Sequence, residues 1–214
     1  MVIANAVVYA AYVFIRPLRD FITAHLALGP GLFRGEIWQP VTALFVHRNL
    51  LGFVVDLIGI WFVGATLERV NGTRRLVWLF FLSGVLSNLT IAVVSHFRTF
   101  AAGDVFDGCS CAVLALFVAF GRIYGRTPTQ VLGGLFLQAR TLAIVFVVWA
   151  ALASVVQRDW AYLAATVVTT IVGYLGAAPG GLREAWGSFK IRRLKRRYRV
   201  IDGGARRPPR NYVN

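Results

Sequence analysis

The chain has 214 residues, 57% hydrophobic and 15% charged, with a mean hydropathy of +0.65. A soluble domain carries about 25% charged residues. Here the apolar residues run in long blocks without the two-residue alternation of a barrel strand, which excludes both a soluble globular domain and a β-barrel. The net charge of +14 would suit nucleic acid, but eleven of the 23 Lys and Arg follow Gly180. The basicity belongs to a tail, and no nucleic-acid partner is expected.

Six apolar stretches follow in chain order: 1–17, 50–67, 76–95, a short fourth at 108–121, then 141–156 and 160–176. Each of the longer ones approaches the ~17–25 residues that span a hydrocarbon core. The first has no positive n-region and no clear cleavage site, so it reads as a short membrane helix rather than a signal peptide. The expected architecture is an all-α membrane protein, a six-transmembrane-helix bundle with a long first loop at 16–39. That loop is rich in Gly and Pro and carries apolar pieces (Phe21, Ile22, Leu26, Leu32, Phe33) that suit the interface. The second loop is tight, around 68–75, the third (96–107) carries Asp104 and Asp107, and the fourth spans 122–140.

Two domains are expected: residues 1–178 as the membrane domain and 179–214 as a basic tail. In the tail Leu182, Trp186, Phe189, Leu194 and Tyr198 recur at near-helical spacing among Lys and Arg, before a disordered end. That pattern fits a helix on anionic lipid headgroups; a topology determinant with a solvated face explains it as well. With six spans, seventeen of the 23 cationic residues fall on the side of the termini. The positive-inside rule then places both termini in the cytoplasm of a multi-pass protein, in the plasma (inner) membrane if the cell is bacterial.

Polar residues inside such blocks are costly and need a reason. Asp56 lies in the middle of the second stretch, as a partner for a neighbouring helix or the lining of a polar cavity. Ser110, in Gly108-Cys109-Ser110-Cys111, opens the fourth; a lone serine beside glycine is more often a packing residue. Cys109 and Cys111 are the only cysteines, and their two-residue spacing on a helix disfavours a disulfide. No metal-ligand spacing is present, and no metal or other cofactor is expected.

Three ordered motifs carry a resemblance. The first is Gly35-Glu36-Ile37-Trp38-Gln39-Pro40-Val41-Thr42-Ala43-Leu44-Phe45-Val46-His47. The second is Gly64-Ala65-Thr66-Leu67-Glu68-Arg69-Val70-Asn71-Gly72, and the third is Gly108-Cys109-Ser110-Cys111. In this order the chain resembles the rhomboid family of intramembrane serine proteases over about 33–176. The resemblance makes Ser110 the counterpart of the nucleophile. It puts Tyr162, in Ala161-Tyr162-Leu163-Ala164-Ala165, where the family has its catalytic histidine. It also puts Gly52 and Asp56 where the family has a histidine and an asparagine that steady the oxyanion. Gln39 replaces the usual arginine, and Ala165 and Thr169 replace close-packing glycines, which predicts somewhat looser helix contact. His47, kept from the motif, is expected near the mouth of the second helix rather than beside Ser110.

These departures set the expected function. Serine is a poor nucleophile without an adjacent base, and no histidine follows His96. A phenol with a reference pKa of ~10 does not replace imidazole near neutrality. Glycine offers no oxyanion donor, and an ionised aspartate repels a developing oxyanion; losing one such donor typically costs ~10²–10³ in rate. The resemblance therefore implies a pseudoprotease that binds transmembrane clients without cutting them, in contact with membrane lipids, through a groove near the second and fifth helices. The alternative is a rhomboid-type serine endopeptidase using Ser110 with an atypical base such as Asp56. A transporter built on Asp56 is disfavoured by the lack of an internal repeat.

Overall fold

The computed structural model describes residues 1–97, 105–130 and 136–177. The expected basic tail from 179 and Asp104 of the third loop lie outside the described residues. Among the described residues the regular structure is helical apart from one short ribbon. Its main helices are α1 (Val2–Phe14), α2 (Leu50–Asn71), α3 (Thr73–Phe97), α4 (Ser110–Tyr124), α5 (Ala139–Val156) and α6 (Trp160–Gly176). They follow the six apolar stretches. Among the described residues α2, α3 and α5 are each long and apolar enough to cross a membrane. Helices α4 and α6 are apolar but shorter, and α1 bends by 117° into Arg16–Leu26, with Pro17 in the first turn after the bend. The protein is an all-α integral membrane bundle.

Helix α4 is the hub. Every residue from Cys111 to Gly121 is buried, and α2, α3, α5 and α6 all pack on it. At 1.5 Å per residue its 15 residues extend about 22 Å, short of a ~30 Å hydrocarbon core. Loop segments cover its N-terminal end. Leu28 and Phe106 exchange main-chain hydrogen bonds of 2.9 and 2.8 Å, and Gly108 N donates to Ala43 O at 3.1 Å.

Small residues let the helices close on one another. A Cβ on Gly173 would come within 2.6 Å of Ala115 O and 2.9 Å of Ala115 Cα, so α6 approaches the α4 backbone directly. One and two turns earlier, Thr169 and Ala165 are fully buried, and the Thr169 and Ser87 hydroxyls hydrogen-bond between α6 and α3. The looser contact expected from losing glycines is absent along this row, because Gly173 keeps the closest approach and Thr169 adds a hydrogen bond.

The first loop is a series of short helical turns. Its motif residues tie it together: His25 Nδ1 pairs with Glu36 Oε1 at 2.6 Å, and Trp38 Nε1 donates to the His25 carbonyl at 2.9 Å. Gln39, fully buried, accepts from Gly29 N at 3.0 Å and donates to Glu36 Oε2. Glutamine thus keeps an anchoring role where the family has arginine. Asn88 of α3 donates to the Pro40 carbonyl at 2.8 Å. The second loop is a single residue, Gly72 at φ +79°, between α2 and α3, and Thr73 donates to Glu68 Oε1 at 2.6 Å. The fourth loop holds a ribbon the sequence did not announce, β1 (Pro128–Gln130) antiparallel to β2 (Phe136–Gln138).

Candidate active site

Asp56 lies in the second turn of α2, 3% exposed, on the face turned to α4. Gly59, one turn on, shares that face: a Cβ there would sit 2.5 Å from Val113 Cγ1. The close approach at Gly59 brings the Asp56 carboxylate to the first turn of α4. Ser110 Oγ donates to Asp56 Oδ2 at 2.9 Å, and His47 Nε2 lies 3.1 Å from the same oxygen. The thiol of Cys109 is 3.6 Å from Asp56 Oδ2 and 3.8 Å from His47 Nε2. Three polar groups from two segments, the loop before α2 and the start of α4, converge on one buried carboxylate oxygen.

The turn that presents them needs a glycine. Gly108 adopts φ +94°, where side chains other than glycine are strained. Its ideal Cβ would lie 3.7 Å from both Asp56 Oδ2 and His47 Cδ2. From above, Arg48 holds Asp107 through Nε at 2.7 Å and through its main-chain N at 2.8 Å, and donates to the Val105 carbonyl. Phe53 contacts the His47 ring edge-on and stacks on Tyr9 of α1 at 4.0 Å, so α1 backs the cluster.

A cavity of about 620 Å³ opens beside the cluster. Asp56, Ser110 and Tyr162 all line it, with Phe146 and Trp149 of α5 opposite. Tyr162 occupies the first turn of α6, whose N-cap is Asp159 (Oδ1 accepts from Tyr162 N at 3.0 Å), and it packs with Cys111.

The structure thus gathers Ser110, Asp56 and Tyr162 at one cavity, in the arrangement the motifs imply. One position differs from expectation. His47 is not set apart from Ser110; a single carboxylate oxygen links them, because the chain before α2 turns inward over α4. Gly52 is not among the cavity residues: its N donates to the Asn49 side chain at 2.6 Å, capping α2. Sequence reasoning did not bring the Cys109 thiol to this cluster or pair Arg48 with Asp107. The remaining motif residues Gly35, Glu36 and Trp38 shape the first loop, while Glu68, Arg69 and Gly72 form the α2–α3 corner.

Comparison with known proteins identifies the family. Residues 34–179 match the family model described as Rhomboid domain. The chain belongs to the rhomboid family. It is 23% identical over 94 residues to rhomboid protease GluP of Bacillus subtilis (strain 168), covering 44% of this chain and 18% of that protein. Over 88 residues it is 36% identical to Rhomboid-like protease 2 of Toxoplasma gondii, covering 41% and 29%. Over 90 residues it is 28% identical to Inactive RHOMBOID-like protein 8 of Arabidopsis thaliana, covering 42% and 26%. The matched stretch is less than a third of each of these relatives. Rhomboid relatives thus include both proteases and a protein named inactive.

Proposed function

We propose that this rhomboid is a membrane pseudoprotease that holds transmembrane helices of client proteins without cleaving them. The observation that carries this reading is the partner of Ser110: a carboxylate from α2 at 2.9 Å, with a tyrosine, not an imidazole, on α6. A carboxylate beside the serine opposes negative charge on a tetrahedral intermediate, where catalysis needs donors. The binding capacity is retained. Among the described residues α2 and α5 each pack on α4 without extensive contact with one another. Apolar side chains such as Val55, Ile58, Val148 and Leu152 stand exposed on these two helices. A lateral opening between them leads to the cavity and suits a helix entering from the lipid. Both termini are assigned to the cytoplasm on the charge distribution, and the tail to anionic headgroups.

The test reconstitutes the protein in liposomes with a fluorescent rhomboid transmembrane substrate, an active rhomboid as control, and a serine-reactive fluorophosphonate probe. Co-purification of uncut substrate, with labelling equal in wild type and Ser110→Ala, is expected. Cleavage that vanishes in Ser110→Ala would overturn the reading. One observation favours that second reading, an endopeptidase: Asp56 Oδ2 sits within proton-transfer distance of Ser110 Oγ, with His47 behind it.

A further inference from the structure

The Asp56 cluster has a property that neither proteolysis nor client binding uses. His47 Nε2, Asp56 Oδ2 and Cys109 Sγ all lie within 4.8 Å of one another, and all three residues are buried. They come from the loop before α2, from the second turn of α2 and from the N-cap position of α4. From this geometry we propose that they form a binding site for one divalent cation of the zinc class.

The argument is first one of shape. Zinc bound tetrahedrally takes nitrogen and oxygen at ~2.0–2.1 Å and sulfur at ~2.3 Å, so ligand atoms should stand about 3.3 Å apart for nitrogen to oxygen and about 3.5 Å for either to sulfur. The observed edges are 3.1 Å from His47 to Asp56, 3.6 Å from Cys109 to Asp56 and 3.8 Å from Cys109 to His47. The triangle therefore needs adjustments of only a few tenths of an ångström to close on an ion.

The ligand chemistry points the same way. An imidazole, a carboxylate and a thiolate are ligands that zinc accepts together, and the thiolate disfavours magnesium or calcium. Neutral imidazole with one carboxylate and one thiolate neutralises a divalent ion, which a buried site within a membrane bundle requires. On binding, the Cys109 thiol gives its proton to cavity water as the sulfur–metal bond forms. Among the described residues Nδ1 of His47 is buried with no hydrogen-bond partner, and Nε2 faces the Asp56 carboxylate, so a metal at Nε2 replaces that contact and leaves the ring proton on Nδ1. Of the three ligand residues Asp56 lines the cavity, as does the neighbouring Ser110, so an ion would enter from that side. The ion would join three segments otherwise held there by hydrogen bonds. It would also occupy the lone pairs of Asp56 that a serine base would need.

The experiment uses the full chain purified in detergent through a tag without histidine, stripped with chelator, then titrated with Zn²⁺ against a chromophoric chelator and separately with Co²⁺. One Zn²⁺ per chain is expected, with the ligand-field bands of four-coordinate cobalt and a thiolate-to-cobalt charge-transfer band. Cys109→Ser should abolish the charge-transfer band, and Asp56→Asn should weaken Zn²⁺ binding by at least about tenfold, the smallest loss typical of disturbed metal sites. Cys111→Ser, whose thiol is outside the cluster, should retain both. Folded wild type that takes up no stoichiometric Zn²⁺ overturns the proposal regardless of the variants. So does a cobalt spectrum without thiolate character, or one that is unchanged in Cys109→Ser.

Discussion

Ser110 Oγ and Asp56 Oδ2, 54 residues apart in the chain, stand 2.9 Å from each other at the junction of α4 and α2. The contact occupies the serine with an acceptor that also faces His47 and Cys109, so the serine is part of a structural polar knot as well as a motif residue.

Replacing Asp56 with alanine should leave the hydroxyl of Ser110 and the imidazole of His47 without their shared acceptor. Loss of a buried hydrogen-bond partner costs about 1–3 kcal/mol. The thermal midpoint in detergent should fall in Asp56→Ala, and fall less in Asp56→Asn, which keeps an oxygen in place. Equal midpoints for wild type and Asp56→Ala would show that the knot contributes nothing to stability.

Helix packing gives a contrast between two glycines. Gly173→Ala drives a methyl into the Ala115 backbone and should destabilise by about 1–3 kcal/mol, as overpacking does. Gly64 has only ordinary contacts, the nearest at 3.8 Å. Gly64→Ala should therefore be neutral or stabilising by up to about 1 kcal/mol through helix propensity. Unfolding midpoints of the two variants, measured side by side, decide whether the α4–α6 approach is as close as described.

Gln39 offers a test of the first loop. Gln39→Ala removes its bonds to Gly29 N and Glu36, and the buried Gly29 amide loses its acceptor; a cost of about 1–3 kcal/mol is expected. Hydrogen exchange at Gly29 should accelerate. Unchanged exchange there would place the loop's anchoring elsewhere.

Client binding predicts a location. A photo-crosslinking residue at Trp149, 72% exposed on α5 and lining the cavity, should capture a transmembrane client. The same probe at Trp78, 64% exposed on α3, should not. Equal capture at both positions would mean nonspecific contact through the bilayer.

Much of this was readable from the sequence, for reasons that differ by element. Lipid demands unbroken apolar blocks, so the six helices announced themselves, and the ordered motifs located Ser110 and Tyr162. Asp56 was conspicuous because a carboxylate in an apolar block is costly. Its company was not legible. His47 precedes it by nine residues and Cys109 follows by 53, and only the close packing at Gly59 brings them together. The widened turn at Ile60–Gly64 in α2 and the 128–138 ribbon left no pattern either. Both depend on local hydrogen bonding that apolar periodicity does not encode. Nothing in the spacing of Cys109 and Cys111 ties the Cys109 thiol to His47 and Asp56.

The two main-chain bonds between Leu28 and Phe106, with the third from Gly108 to Ala43, tie the start of α4 to the segments before α2 through amide groups, beside the Arg48–Asp107 pair. Every residue type except proline can supply such bonds. The turn that carries Ser110 is thus held independently of the side chains beneath it, and the chemistry at its tip is open to drift. Substitution at Tyr162 or Asp56 removes none of these three main-chain bonds.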